Sequence, residues 1–237
     1  MRLHHLLPLL LALSLTACAG LELPRDLSFG RDDNGDSDRG AEAIREALRV
    51  GTERTVDRTG RDDGYLGNAL IRIGLPEEFQ TAGDRLRSIG LGGQVDDLER
   101  RMNRAAEAAA TEAAPIVASA IRDMQPSDVY AVIRGEDDAA TRYLRDRSEE
   151  TLRERYEPVV REHMAETGVY RVYQPLRESY NRLPGVPELE LDLDRYVTDR
   201  ALDGLFTVLA EEEGRIREDP AARTTELLRE YFGRNDS

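Results

Sequence analysis

The sequence predicts an all-α fold: a single irregular multi-helix bundle behind a lipidated, flexible tether. Three observations predict it. Apolar residues recur at helical spacing over most of the chain, and no stretch longer than about four residues alternates with the period of a strand. The 237 residues are 40% hydrophobic and 34% charged, the balance of a globular, water-exposed chain. No repeat of fixed period is visible, so a solenoid is not expected.

The first helix is expected from residue 39, with Asp38 as its N-cap. Ile44, Ala47, Leu48 and Gly51 form its packed stripe until Gly60 stops it. Residues 61–75 read as irregular, broken by Gly64, Gly67 and Gly74, with Ile71, Arg72 and Ile73 briefly extended. Pro76 suits the first turn of a second helix that ends at Gly90. Gly90-Leu91-Gly92-Gly93 follows a helix rather than a strand, so it reads as a stop and turn, not as a dinucleotide loop.

The third helix places Val95, Leu98, Met102, Ala105, Ala106, Ala109, Ala110 and Ala113 on one face. Small side chains let helix axes approach closely, which makes this a central helix. Pro115 marks a boundary or kink, and Ile116, Val117, Ala120, Ile121 and Met124 continue the stripe. Short helices are expected near residues 127–134 and 138–145. A longer one carries Leu152, Tyr156, Val159, Val160, His163 and Met164 until Gly168 closes it.

Residues 169–182 read as helical around Pro175, and Pro184-Gly185-Val186-Pro187 forces a turn. The last strong helix carries Tyr196, Leu202, Leu205, Phe206, Leu209 and Ile216. Asp219-Pro220 then starts a final piece with Leu227, Leu228, Tyr231 and Phe232.

The N-terminus reads as an address. Arg2 precedes an apolar run over residues 6–15, too short for the ~20 residues a membrane-spanning helix needs, so residues 1–17 are expected to be a signal peptide. The run ends in Leu15-Thr16-Ala17-Cys18, which resembles the bacterial lipobox, and Cys18 is the one cysteine of the chain. That resemblance implies diacylglyceryl transfer to the Cys18 thiol, cleavage before it and acylation of the new amino group. Two or three acyl chains at ~0.8 kcal/mol per buried CH₂ hold a protein on a membrane effectively permanently. Ala19 and Gly20 follow, with no Asp where inner-membrane retention is signalled. The expected location is the periplasmic face of the outer membrane of a Gram-negative bacterium.

Residues 18–38 are expected to be the acylated cysteine and a flexible acidic linker, and residues 39–237 an all-helical periplasmic domain. The linker's string Arg31-Asp32-Asp33-Asn34-Gly35-Asp36-Ser37-Asp38 invites a calcium reading. Counted from Asp32, however, an EF-hand loop needs Gly sixth and Glu twelfth, and finds Ser37 and Ala43. A solvated linker is the preferred reading.

Composition excludes much chemistry. Acidic residues outnumber basic ones 47 to 33, and every basic residue is Arg. Without Lys there is no P-loop lysine, Schiff base or pyridoxal-phosphate anchor. One cysteine and three histidines, two of them (His4, His5) in the signal segment, leave no zinc site, so neither cofactor nor metal is expected. A net charge of −14 disfavours nucleic acid. Arg without Lys and the acidic excess fit a GC-rich genome and a salty habitat.

A catalytic triad could use only His163, which lies on or beside the packed face and reads as a core or boundary histidine. Glu212 is the one weak catalytic candidate. It falls in the apolar series Leu202, Leu205, Leu209, Ile216, so it projects near the seam, where burial would raise a carboxyl's pKa. An ion pair with Arg is the preferred reading.

Several segments together carry a resemblance: Ala47-Leu48-Arg49-Val50-Gly51-Thr52-Glu53-Arg54, Met102-Asn103-Arg104-Ala105-Ala106-Glu107, Pro115-Ile116 with Ala120-Ile121 and Met124, and Ala139-Ala140-Thr141-Arg142-Tyr143. To these belong Tyr196-Val197-Thr198, Ala201-Leu202-Asp203-Gly204-Leu205-Phe206, Glu211-Glu212-Glu213 with Ile216-Arg217, and Asp219-Pro220. The pattern resembles the bacterial lipoproteins grouped as domain of unknown function 4197. It implies a helical periplasmic domain behind a lipid anchor and supplies neither an activity nor catalytic residues.

Three functions fit, in this order. The first is a non-enzymatic interaction or binding module held at the outer membrane by acyl chains on Cys18, with a periplasmic or envelope protein as partner. The second is a carrier or sensor of a small apolar ligand, seated between the Ala-rich helices. The third is a carboxylate-based envelope hydrolase using Glu212 and a partner acid.

Overall fold

A computed structural model describes residues 33–124, 132 and 135–233. The signal peptide, Cys18, the linker up to residue 32 and nearly all of the helix expected at 127–134 lie outside the described residues. Helices α1 (Asp33–Thr59), α2 (Glu77–Leu86), α3 (Gly92–Ala110) and α4 (Ala113–Arg122) come first. Then follow α5 (Ala139–Thr167), α6 (Val169–Asn181), α7 (Leu193–Glu218) and α8 (Glu226–Phe232). No strand occurs among the described residues. The all-α reading is correct.

Helix α7 is the axis of the bundle. It packs against α1 on one side and α5 on the other, while α3 packs on α5 and α6, and α4 fills between α1 and α5. Its near-continuous burial follows from these neighbours: Val197, Ala201, Leu205, Val208, Leu209 and Ile216 each contribute to one core. Fully burying a Val, Leu or Ile side chain contributes roughly 1.5–3 kcal/mol. Gly51 brings α1 close to α7, since a Cβ there would lie 2.9 Å from Leu209 Cδ1.

Four boundaries differ from the sequence reading. The first helix begins at Asp33, so Asp38 lies inside it and the helix takes up the end of the expected linker. Acidic residues are favoured at a helix N-terminus by the macrodipole. Ile71 to Ile73 are not part of a strand; Ile71 is in a turn, and Ile73 is held by a side chain described below. Helix α2 stops at Leu86 and passes through a widened turn, Arg87–Leu91, in which Gly90 adopts φ +88° and breaks the helical path into α3. The two helices expected at 138–145 and 152–164 are one, α5, 29 residues long with Pro158 inside it.

Candidate functional site

The most constructed part of the molecule is the irregular segment 60–75, which is fastened to the bundle at four points. Tyr65 is buried, and its hydroxyl donates to the Ala201 carbonyl of α7 at 2.7 Å. Glu107 of α3 accepts from the backbone N–H groups of Tyr65 and Leu66, both at 3.1 Å. Asn103, one turn earlier on α3, accepts from Ile73 N at 2.9 Å and donates to Ile73 O at 2.7 Å. Tyr196 donates to the Gly74 carbonyl at 2.7 Å.

These contacts satisfy backbone groups that no helix or sheet provides for, which is why a loop can be this ordered. Arg104 completes the clamp by joining Glu107 at 2.6 Å to Asp63 at 2.8 Å, the latter in the left-handed region at φ +61°. Gly204 makes the room. A Cβ at that position would sit 2.4 Å from Tyr65 Cε1 and 3.2 Å from Ile71 Cβ. Held in this frame, Leu70 points outward and is 71% exposed, the most exposed large apolar residue described.

Glu212 is almost fully buried, with 3% of its side chain exposed. Its Oε1 accepts from Arg58 at 2.6 Å and Arg215 at 3.1 Å, and Arg54 lies 3.7 Å from Oε2. Arg58 also bonds Glu211 at 2.8 Å. Two guanidinium groups occupy the lone pairs of Oε1, so this oxygen has no position from which to hand on a proton. The ion-pair reading of Glu212 is the one the geometry supports, although an open depression lined by Arg54, Arg58 and Arg215 lies beside it.

Its neighbour Glu213 does a different job. It accepts from Ala140 N at 3.0 Å, Thr141 N at 2.7 Å and Thr141 Oγ1 at 2.7 Å, capping the start of α5 from another helix. Asp138, at the N-cap position itself, makes no such bond. Arg217 holds the Glu213 carboxylate at 2.7 Å.

His163 lies at a rim, not in the core: Nε2 meets Glu112 at 2.9 Å and Nδ1 meets Glu166 at 3.0 Å. Both partners are carboxylates, so the ring clips α5 to the start of α4, and no serine or nucleophile adjoins it in this pairing. Among the described residues, no group of three or more His, Cys, Asp or Glu is placed to hold a metal ion. No described helix is long and apolar enough to cross a membrane.

The alanines of α3 are packed against the bundle. Ala105, Ala106, Ala109 and Ala110 are fully buried, and the void bordering Ala113 measures about 20 Å³, room for a single water.

The sequence reading missed Asn103, Glu107, Tyr65 and Glu213 as structural keys. A signal existed for two of them: Asn103 and Glu107 are i and i+4 on an otherwise small and apolar core helix, where an unsatisfied polar side chain would be costly. Nothing local singled out Glu213 from Glu211 and Glu212.

The family model described as Protein of unknown function (DUF4197) matches residues 35–233. No curated protein and no solved structure matches the chain. The chain belongs to that family.

Proposed function

We propose, for this member of the family of unknown function, a lipid-anchored, non-enzymatic interaction module that meets an envelope protein through the 60–75 loop. The observation that carries the reading is the pinned loop with Leu70 outward: four anchors hold a surface segment on which Leu70 is the large apolar side chain that stands exposed. Ordering a loop in advance removes entropy that binding would otherwise cost. The Leu15-Thr16-Ala17-Cys18 sequence supports attachment through acyl chains on Cys18 at the periplasmic face of the outer membrane.

The test is site-specific photo-crosslinking in the native host, with the crosslinking residue at position 70 and, as comparison, at exposed Glu154 of α5. A discrete adduct from position 70 and none from position 154 supports the reading. Equal or absent labelling at the two positions rejects it. Metabolic labelling with palmitate, lost on Cys18→Ser, tests the anchor separately.

A further inference from the structure

Helices α4 and α5 part along a cleft of about 260 Å³. A single water needs about 10–15 Å³, so this space admits an organic molecule. Its apolar lining comes from both helices: Ile116 and Ala120 of α4, and Leu144 and Leu152 of α5. Ile116 and Ala120 are half-buried and Arg155 is exposed, so the cleft opens to solvent and a ligand enters it without any helix moving.

The charged lining is cationic on balance. Arg147 and Arg155 border the cleft with one carboxylate, Asp123. In a chain whose acidic residues outnumber its basic ones 47 to 33, that reverses the overall charge. Arg155, the last α5 residue to line the cleft, carries the argument. Its Nη1 donates to Ser119 Oγ of α4 at 3.1 Å, so the guanidinium lies across the gap between the two helices.

That neutral hydroxyl is the one hydrogen-bond partner Arg155 has among the described residues. The arginines beside Glu212 differ, because Arg58 and Arg215 already bond its carboxylate. A cation bonded only to a hydroxyl, at the edge of an open apolar cleft, is complementary to an anion on an apolar body. The planar guanidinium fork matches a carboxylate in geometry as well as charge. Thr151, one turn before Arg155, adds a hydroxyl to the same wall.

We propose that the α4–α5 cleft binds a small organic anion, a compact apolar body that ends in one carboxylate. The body lies between the aliphatic side chains of the two helices, and Arg155 takes the carboxylate. The site uses no residue of the 60–75 loop and is independent of the loop reading above.

The experiment is titration calorimetry of the full chain carrying Cys18→Ser, which has no acyl chains to take up the probes. It compares 1-naphthoate, 1-naphthalenemethanol and 1-naphthylmethylamine, which share one ring system and differ in charge. Saturable binding of naphthoate is expected, about tenfold tighter than of the alcohol, with the amine weakest. Arg155→Gln lowers naphthoate affinity about tenfold and leaves the alcohol unchanged. Ala120→Phe fills the cleft and weakens both. Absence of saturable naphthoate binding overturns the proposal, as does an alcohol affinity equal to that of naphthoate. Naphthoate binding that Arg155→Gln or a folded Ala120→Phe leaves intact overturns it too. Should Ala120→Phe disturb the helical circular dichroism, Arg155→Gln at its exposed position decides alone.

Discussion

Asn103 makes to Ile73 the pair of hydrogen bonds that a neighbouring strand would make: its Oδ1 accepts from Ile73 N at 2.9 Å and its Nδ2 donates to Ile73 O at 2.7 Å. One side chain thus takes the place of a whole element, and it is fully buried. Asn103→Leu leaves both Ile73 groups without partners, and urea unfolding should show a loss of about 2–5 kcal/mol. Asn103→Asp keeps the acceptor and removes the donor, so it should also destabilise. A loss under about 0.5 kcal/mol for Asn103→Leu would mean the loop finds other partners.

Gly204 and Tyr65 are a matched pair. Gly204→Ala places a methyl 2.4 Å from a ring whose hydroxyl is tied to Ala201, so the ring cannot slide away freely. The expected cost is about 1–3 kcal/mol. In Tyr65→Ala the ring is gone, and the same Gly204→Ala change should cost far less. A double-mutant cycle in urea measures that coupling, and strict additivity would count against the contact.

Glu213 caps α5 from across the bundle. Glu213→Ala strips two backbone N–H groups of their acceptor and leaves Arg217 without its buried partner, for an expected loss of about 3–5 kcal/mol. Glu213→Gln retains an acceptor and should recover part of it. Denaturant midpoints and helical circular dichroism of the two variants read this out.

Glu212→Gln should cost about 1–3 kcal/mol. The lower part of that range is expected because its partners Arg58 and Arg215 keep 30% and 58% of their side chains exposed, where water screens the lost charge. A catalytic acid would show the opposite pattern, in which its removal leaves stability unchanged or improved. Unfolding of Glu212→Gln and Glu211→Gln side by side makes the comparison.

Alkaline pH gives a fifth handle. Burial first, and then the nearby Tyr156 and Glu107, push the Tyr65 phenol well above its usual range. Burial also raises Tyr156. For a group whose pKa is higher folded than unfolded, the stabilisation is complete below the unfolded value, about 10, and is lost as pH climbs above it. Unfolding free energy should therefore fall from about pH 10 upward, with these phenolates appearing in the absorbance spectrum only as the chain unfolds. Tyr156 adds an internal comparison. Its hydroxyl has no partner, so Tyr156→Phe should be neutral or slightly stabilising, whereas Tyr65→Phe should cost about 1–2 kcal/mol.

Apolar spacing by itself determined most of the helices, because a helix signals its buried face within a few turns of its own chain. Ile44, Ala47 and Leu48, or Leu202, Leu205 and Leu209, carry that signal wherever they are read. The signal fails in α5, where Asp146 and Arg147 interrupt the stripe. There the helix is carried through by packing at both ends and by pairs such as Arg145 with Glu149. The clamps were decided only by tertiary structure. Glu211, Glu212 and Glu213 are chemically identical neighbours, yet one is half-buried beside Arg58, one is buried between Arg58 and Arg215, and one caps α5. Which carboxylate takes which partner depends on the rotation of α7 against α1 and α5, and that rotation is fixed by packing among residues far apart in the sequence.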